Sequence, residues 1–480
     1  MFNSIDEFAG YIADKGIKMV DIKVTDLAGR WHHITIPASR MDKDVLSKGI
    51  GFDGSSYGFL TVEKSDMALV PDLSSAFVDP ATKVPTLSVI GDICTITDAG
   101  LKRFDGDPRH IAKKAERFLA GTGIADLCLF GPEFEFYVLD DIQYRIEPNH
   151  IEVHLDSSQA AWNSINSPYD AAARNKGFKM ARHGGYHADQ PFDTSFALRN
   201  QIVCALEDLC IPVKYHHSEN GGPGQVEIEV YFAALREIGD RTQIIKYIIR
   251  NAAFQSGRTV TFMPKPFIGE CGSGMHVHMQ MFKGGQPVFY EQGGYSDLSG
   301  AALSAICGIL SHSPALLGFT NPSTNSYKRL VPGYEAPVTA CFGTANRSSV
   351  IRIPDYARAP EDKRFEFRPS DATANPYLAY AALLMAAVDG MQKGLKPGPE
   401  YGPYDKNMYH LSDEERKVVR SLPKSLDEAA DALEGDNAFL GNGGVFPDEL
   451  IRNQLRAIRK DAADIGMVPH PEEFRRYYDL

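Results

Sequence analysis

At 480 residues the chain is too long for one ordinary domain, so two domains are expected, and its 43% hydrophobic and 23% charged residues are typical of a soluble globular protein. The formal net charge of −12 without a basic tract argues against binding to nucleic acid, and the lack of an apolar run of about eighteen residues argues against a membrane span. Seven cysteines without a CxxC pair, and an acidic amphipathic N-terminus unlike a secretory signal, predict reduced thiols in the cytoplasm.

The first hundred residues predict a small β-rich domain. Ser4 can cap a short amphipathic helix that ends at Gly16, and two strand-like runs, "IKMVDIKVTD" and "WHHITIP", follow with the turn-like "LAGR" between them. A loop-rich stretch precedes another strand around "TLSVIGDICTIT". Asp107 and Pro108 form a good N-cap and first position for the next helix, so we expect an N-terminal domain over 1–107.

The remaining residues, 108–480, predict a larger domain in which polar-faced strands alternate with helices. Helical periodicity is clear in "REIGDRTQIIKYIIRNAAFQSG" and "NPYLAYAALLMAAVDGMQKG", and residues 395–480 are expected to be mostly helical. Strands and helices in both parts predict an α+β protein.

The segment "GPEFEFY" carries two acidic side chains on one face of a predicted strand. Side chains alternate along a strand, so Glu133 and Glu135 share a face opposite Phe134 and Phe136, and the carboxylates lie within roughly 7 Å of each other. Such carboxylates repel unless a proton, an arginine or a metal ion lies between them. The pattern therefore points to a missing cation.

Three further strands repeat this pattern of one apolar and one ligand-bearing face. They are "GQVEIEVYF", "GSGMHVHMQM" and "KRFEFRPS", whose polar faces hold Glu227, Glu229, His276, His278, Gln280, Arg364, Glu366 and Arg368. Half-exposed strands with solvated outer faces are the alternative for any single strand. Four strands that all present Glu, His or Arg favour a shared site.

The types of side chain indicate which chemistry this site serves. Carboxylates with imidazoles and without thiolates favour Mg²⁺ or Mn²⁺. A hard cation with clustered arginines is the apparatus of phosphoryl transfer, and the candidates are Arg329, Arg347, Arg352, Arg364 and Arg368. The chain has no Walker P-loop and no GxGxxG, so another scaffold would hold a nucleotide.

Several motifs together resemble those of the class I glutamine synthetase family. They are "FDGSS" (52–56), "PEFEF" (132–136), "FMPKP" (262–266), "GSGMHVH" (272–278), "NSYKRLVPGYEAP" (325–337), "NRSSVIRIP" (346–354) and "ANPYLAYAALL" (374–384). The resemblance extends from about residue 15 to the C-terminus. It implies a small β-grasp N-terminal domain and a large catalytic domain with a curved antiparallel sheet flanked by helices. It also implies a dodecamer of two stacked hexameric rings with active sites between neighbouring subunits.

By this resemblance the chain would join ammonia to the γ-carboxyl of L-glutamate, using ATP and passing through γ-glutamyl phosphate. Glu135, Glu219 and Glu227 would hold one divalent cation, and Glu133, His276 and Glu366 would hold a second beside the nucleotide phosphates. Glu229 matches no family ligand and is expected to be a supporting or structural carboxylate.

The resemblance also assigns the substrate-binding residues. ATP would contact Lys214, Phe232, His278, Gln280, Arg347, Arg352 and Arg364, and glutamate would contact Cys271, Gly272, Arg329, Glu335 and Arg368. Ammonium would bind Asp53 of a neighbouring subunit with Ser56, Tyr186, Glu219 and Glu335. Asp53 would deprotonate ammonium, Arg347 would neutralise the transferring phosphoryl group, and Glu335 would close the site.

The sequence departs from the family pattern at several of these positions. Cys271 stands where asparagine is usual, Gln280 where serine is common, and Lys214 where an acidic residue is common. Tyr409 aligns with a tyrosine that some bacterial members adenylylate, although it could equally be an ordinary loop tyrosine. Some members also bind regulatory proteins.

Two alternatives remain open at this point. A related ligase could join glutamate to an alkylamine or polyamine, although Asp53, Tyr186 and Glu335 favour ammonia. A catalytically dead ring protein is the second alternative, but all six metal-ligand positions are retained.

Overall fold

The N-terminal part of the chain is built around one six-stranded sheet. The computed structural model describes residues 2–60, 62–165, 176–334 and 336–477. The sheet has the order β2-β1-β5-β4-β3, with β6 paired to β5, and its strands are β1 (Met19–Thr25), β2 (Trp31–Pro37), β3 (Ile50–Asp53), β4 (Asp66–Val78), β5 (Thr86–Thr97) and β6 (Gly100–Arg103). Strand β1 runs antiparallel to β2 and parallel to β5.

Two helices accompany this sheet, α1 (Ile5–Lys15) and α2 (Lys43–Lys48). Ser4 caps α1 by accepting a hydrogen bond from the Glu7 backbone N–H at 3.2 Å, and Gly16 ends it with a φ of 62°. Phe8 of α1 is fully buried in the core of the sheet. The sequence prediction of a capped amphipathic helix ending at Gly16 is therefore confirmed.

The larger part of the chain contains a ten-stranded sheet. Its main order is β10-β11-β7-β14-β18-β17-β16, formed by β7 (Leu127–Leu139), β10 (Val213–Ser218), β11 (Gln225–Val230), β14 (Val277–Lys283), β16 (Thr339–Thr344), β17 (Ser349–Ile353) and β18 (Phe365–Phe367). Three short strands, β12 (Ala233–Ala234), β13 (Thr259–Thr261) and β15 (Gln286–Pro287), pair at its sides. The pairs are antiparallel except for β16 and β17, which are parallel, so the sheet is mixed at one edge.

The other regular elements surround this sheet. A separate hairpin consists of β8 (Asp141–Glu147) and β9 (His150–Asp156). The helices are α3 (Pro108–Thr122), α4 (Phe196–Asp208), α5 (Leu235–Gln255), α6 (Gly300–Thr320), α7 (Ser326–Arg329), α8 (Pro376–Lys393), α9 (Asp413–Arg416), α10 (Leu426–Gly435), α11 (Asp448–Gly466) and α12 (Pro471–Tyr477). The α+β class is confirmed.

The apolar faces of the strands and the buried helices form one large core. Phe134 and Phe136 of β7, Ile228 of β11 and Met279 of β14 are fully buried in it, together with most of α8. The polar faces of the same strands are left on the opposite side, which positions them for a site.

Helix α6 is long and apolar enough to cross a membrane by length and composition alone. In the structure 83% of its most apolar stretch is buried inside the protein, where it packs against α8 and α10. It is therefore a core helix of the larger part of the chain.

A buried arginine joins the two parts. Arg109 at the start of α3 donates to Asp240 of α5 through Nε and Nη2, both at 2.8 Å. It also donates to Asp92 of β5 at 2.7 Å and to Asp72 of β4 at 2.8 Å. The sheet ends at Arg103 and α3 begins at Pro108, so the connection is short and ionic contacts hold the two parts together.

Candidate active site

Side chains of β7, β10, β11 and β17, with His276 just before β14, line a cleft with a cavity volume of about 210 Å³. Twelve residues predicted from the sequence line it: Glu133, Glu135, Tyr186, Glu219, Glu227, Cys271, Gly272, His276, Arg329, Arg347, Arg352 and Arg368. The antiparallel register of β11 and β7 places Glu227 opposite Glu135 and Glu229 opposite Glu133. Residues distant in sequence therefore face one space.

The first candidate metal group consists of Glu133, His276 and Glu366, whose ligand atoms lie within 4.8 Å of one another. His276 Nδ1 is 2.9 Å from Glu133 Oε2 and 3.5 Å from Glu366 Oε1. Burial opposes ionisation of Glu366, but Arg368 and then Arg352 lower its pKa to about 2. This is the trio expected from the resemblance, and its carboxylates suit a divalent cation.

The second group consists of His217, Glu219 and Glu227. His217 Nε2 is 3.4 Å from Glu227 Oε1, and His217 Nδ1 is 3.9 Å from Glu219 Oε1. Burial, and then repulsion from Glu133 and Glu135, raises the pKa of Glu227 well above its usual range. A bound cation would offset this repulsion and stabilise the ionised carboxylate, so the donor set fits a divalent metal.

Glu135, which is expected in this second group, lies opposite Glu227 in the ladder of β7 and β11, with its Oε1 3.7 Å from His276 Nε2. It therefore lies beside both groups, and His217 adds an imidazole to the second one. Glu135 Oε2 accepts a hydrogen bond from the Gly274 backbone N–H at 2.7 Å, which aims that oxygen at the loop before β14.

Sequence reasoning missed His217, although a signal was present. In "VKYHHSEN" the alternation that was applied to four other strands places Tyr215, His217 and Glu219 on one face. The structure has this segment as β10, paired with β11, with Glu227 opposite His217.

A third group, Glu133, Glu229 and His278, is also compact. Glu229 accepts from Lys214 Nζ at 2.7 Å, and His278 Nε2 is 2.8 Å from Glu133 Oε1. Lys214, which is predicted to bind ATP, donates its ammonium to Glu229 in this group. The expectation that Glu229 is a supporting carboxylate agrees with this contact.

The arginines form a cationic wall along the cleft. Arg352 Nη1 donates to Glu366 at 2.6 Å and Arg368 Nη1 donates to the same carboxylate at 2.5 Å. Arg329 is buried, donates to the Pro369 carbonyl at 2.6 Å, and lies 3.2 Å from His276 Nε2. These contacts hold the guanidinium groups in fixed orientations.

Five predicted nucleotide contacts do not line the cleft itself: Lys214, Phe232, His278, Gln280 and Arg364. The Phe232 ring is 6.1 Å from the His278 ring and 5.6 Å from the Arg364 guanidinium. Gln280 Nε2 donates to the Glu361 carbonyl at 3.1 Å. Arg364 also lies 5.3 Å from the ring of Tyr356, a cleft residue that the sequence analysis did not single out.

The loop with Cys271 and Gly272 closes one side of the cleft. Cys271 Sγ lies 3.5 Å from His183 Nδ1, and its carbonyl accepts from the Tyr137 hydroxyl at 2.6 Å. A Cβ on Gly272 would come within 2.5 Å of the Pro264 carbonyl, so only glycine fits there. The Gly272 carbonyl accepts from Gln225 Nε2 at 2.9 Å, which fixes the loop.

The predicted ammonium residues are divided between two places. Tyr186 lines the cleft and stacks on His187 at 4.0 Å. Asp53 and Ser56 lie in the N-terminal part and do not line the cleft of their own chain. Hydrogen bonds from the Ser56 and Ser55 hydroxyls lower the pKa of Asp53. Glu335 lies outside the described residues.

Tyr409 lies close to the cleft rather than in a remote loop. Its hydroxyl donates to the carbonyl of Ala336 at 3.0 Å, and Ala336 lines the cleft. The ring is partly exposed.

Comparison with known proteins gives concordant results. The family model described as "Glutamine synthetase, catalytic domain" matches residues 105–477, and "Glutamine synthetase, beta-Grasp domain" matches residues 16–96. The chain is 44% identical to a glutamine synthetase of Streptomyces filamentosus, with 100% of both chains covered, and 42% identical to one of Mycolicibacterium smegmatis, with 99% of both covered.

Solved structures agree in fold. The glutamine synthetase of Plasmodium falciparum superimposes with a TM-score of 0.89 at 27% identity, covering 99% of each chain. A structure titled "Apo GmaS without ligand" gives a TM-score of 0.79 at 25% identity over 100% of each chain.

Proposed function

The chain belongs to the glutamine synthetase family, and from this we propose that it ligates ammonia to the γ-carboxyl of L-glutamate at the expense of ATP, through γ-glutamyl phosphate. Glutamine synthetases are ligases that use ATP and a divalent metal. The observation that carries the proposal is the pair of compact carboxylate and imidazole groups facing the arginine wall of one cleft.

The proposed cation is Mg²⁺ or Mn²⁺, because the ligand set is carboxylate and imidazole without thiolate. Glu133, His276 and Glu366 would hold one ion, and Glu219 and Glu227 with Glu135 or His217 would hold another. When bound, these ions supply positive charge beside the phosphate oxygens.

The chain's own residues orient the reactants. Arg329 and Arg368 would bind substrate carboxylates through their planar forks, and Arg347 and Arg352 would neutralise the transferring phosphoryl group. Removing one such preorganised charge typically costs about 100- to 1000-fold in kcat.

Measurement of phosphate release tests this function directly. We expect metal-dependent release with glutamate and ammonium, and a loss of at least about 100-fold in Glu366→Gln. Glu152→Gln, on the exposed hairpin, is the matched control and should retain full activity. Phosphate release that is unchanged in Glu366→Gln would contradict the role of the first group.

A ligase that joins glutamate to an alkylamine or polyamine is the alternative, because such an enzyme would use the same metal groups and arginines and differ in the amine pocket. The discriminating assay compares ammonium with methylamine, ethylamine and putrescine at equal concentrations. A higher kcat/KM for any of these amines than for ammonium would replace our proposal with that alternative.

We further propose a dodecamer of two hexameric rings in which the neighbouring subunit supplies Asp53. The absence of Asp53 and Ser56 from the lining of their own cleft supports this arrangement. Each proposed site takes Glu133 from one subunit and Asp53 from its neighbour. Co-expression of two inactive chains, Asp53→Asn and Glu133→Gln, should therefore restore about a quarter of the sites, because about one pair of neighbours in four supplies both intact residues. Mixed assemblies that stay inactive would contradict shared sites.

Three smaller proposals accompany the main one. The protein is proposed to be cytoplasmic, with its seven cysteines reduced. Glu335 is proposed to close the site and accept a proton from the substrate. Tyr409 is proposed as an adenylylation site, and its hydrogen bond to Ala336 supports an effect on the neighbouring Glu335 segment. A Tyr409→Phe protein that remains modifiable by an adenylyltransferase would contradict the last proposal.

A further inference from the structure

A second, larger cavity lies at the junction of the two parts of the chain, away from the cleft. Its volume is about 1030 Å³, which is at the upper end of the range for small-molecule sites. Its walls come from the turn between β1 and β2, from α5, from the segment after β13, and from α11. Gln243 donates to the Gly29 carbonyl at 3.0 Å and Asn375 donates to the Asp26 carbonyl at 2.9 Å, so both parts of the chain are fixed around it.

The charge of this cavity is strongly positive. Among the described residues, five basic and two acidic side chains line it. Lys460 forms an ion pair with Asp464. The Asp26 carboxylate contacts the His32 ring and accepts a hydrogen bond from the Arg30 backbone N–H. The remaining charged side chains that line the cavity are four basic ones and Asp461, so the lining has an excess of positive charge.

Lys246 and Arg250 concentrate this excess on one wall. They are four residues apart on α5, so like charges face each other on one side of the helix, an arrangement that destabilises helices. Lys246 is 6% exposed and its ammonium donates to the Ala372 carbonyl at 2.6 Å. Among the described residues, Asp371 is the carboxylate that raises the pKa of Lys246, and burial is the cause that lowers the pKa of Arg250.

Burial is the largest cause that lowers the pKa of Lys246 to about 7, and repulsion from Arg250 adds to it, while Asp371 opposes the change. A buried ammonium is stable when an anion joins it. An anion that contacts both Lys246 and Arg250 would therefore stabilise this wall of the cavity.

Flat aromatic surfaces stand beside these cations. The Phe262 ring lies 5.7 Å from Lys246 Nζ and 5.3 Å from the Arg250 guanidinium carbon, and the rings of Trp31 and Tyr247 are 5.7 Å apart. Small-molecule sites combine such apolar surface with a few convergent charges.

We propose that this cavity is a binding site for a small molecule that joins a flat ring to a phosphate group, with Lys246 and Arg250 holding the phosphate. Such a ligand bridges the β1–β2 turn and α5, so its binding stabilises the junction of the two parts of the chain. The cavity shares no lining residue with the cleft of its own chain, and its test does not depend on catalysis.

Pyridoxal 5′-phosphate is a suitable probe for the full-length protein, because it carries a flat ring, a phosphate and an aldehyde. With the phosphate of the probe held by Arg250, the Lys246 amine exchanges its phosphate contact for the neighbouring aldehyde: its neutral form adds to the aldehyde carbon, water leaves, and borohydride delivers hydride to the carbon of the C=N bond while water supplies the proton on nitrogen. The resulting secondary amine fixes the adduct for peptide mass spectrometry. We expect modification of Lys246 at concentrations at which pyridoxal, which lacks the phosphate, modifies it at least about tenfold less. Phenyl phosphate should protect Lys246.

Arg250→Gln tests the second cation, and pyridoxal labelling of the same variant corrects for the change in reactivity of the Lys246 amine when the repulsion from Arg250 is removed. The substitution should reduce modification of Lys246 about tenfold, since a charged hydrogen bond is lost. Arg241→Gln is the matched control on the same helix, because Arg241 is paired with Glu237 at 2.6 Å and does not line the cavity. Equal labelling by pyridoxal, equal labelling in Arg250→Gln, or no labelling of Lys246 would each overturn the proposal.

Discussion

We predict that Glu227→Gln stabilises the metal-free protein and at the same time weakens its response to divalent cations. Glu227 is buried and lies opposite Glu135 in the ladder, with Glu133 and Glu219 also close enough to raise its pKa. Glutamine keeps the shape of the side chain and removes the negative charge. The two effects therefore have opposite signs, and a general loss of folding would not produce both.

The size of the first effect follows from the sheet geometry. Directly opposed residues have Cβ atoms about 5 Å apart, and two unit charges at that distance repel by about 3 kcal/mol at an effective dielectric constant of about 20. Because the raised pKa of Glu227 already relieves part of this repulsion, we expect a gain of about 1–3 kcal/mol. For 480 residues the unfolding entropy is about 1 kcal/mol/K, so Tm should rise by about 1–3 °C in a chelator.

The size of the second effect follows from binding linkage. A wild-type protein at 100 times its Kd for Mg²⁺ gains about 2.7 kcal/mol, whereas a variant that binds about 100-fold more weakly gains about 0.4 kcal/mol. Thermal unfolding in EDTA and then in excess MgCl₂ measures both quantities, with Glu152→Gln as the control for a charge lost elsewhere. A Glu227→Gln protein that is less stable in EDTA, or that keeps the full shift with Mg²⁺, would refute the reasoning.

Three further predictions concern stability. Arg109→Met removes the buried cation that three aspartates of the junction share, while Asp92 keeps Lys113 and Asp240 keeps Arg236, and it should lower the free energy of unfolding by about 3 kcal/mol; a loss below about 1 kcal/mol in thermal unfolding would count against it. Burial alone would lower the pKa of His312, but hydrogen bonds to Asp436 and then to Asp389 raise it overall. The protonated imidazole therefore stabilises the folded protein fully below about pH 6.5, and this stabilisation is lost as the pH rises through the higher pKa of the folded state. The Tm difference between wild type and His312→Gln should therefore shrink between pH 6 and pH 9, and a difference that grows would contradict this sign. Gly29→Ala places a Cβ 2.8 Å from the Asn375 Cα at a φ of 82°. It should therefore lower the free energy of unfolding, measured with denaturant, by more than about 1 kcal/mol. An unchanged free energy would show that the turn can move.

The ligand faces of the candidate site could be predicted from the sequence because they depend on a local rule. Along a strand the side-chain period is two, so Glu133 and Glu135 must share a face whatever the strand pairs with. The same rule, applied to "VKYHHSEN", would have found His217. Capping signals are local too, and they correctly marked the helix that begins after Ser4.

Sequence motifs by themselves determined the family, the α+β class and most of the residues that face the cleft, since these are properties of short segments in a fixed order. Only the tertiary structure decided which strands are neighbours, and hence that His217 joins Glu219 and Glu227 while Glu135 lies beside both groups. It also decided that Asp53 stands apart from its own cleft and that Lys246 and Arg250 face a cavity. The physical reason is that pairing and packing join segments up to hundreds of residues apart, and no local period encodes which segments meet.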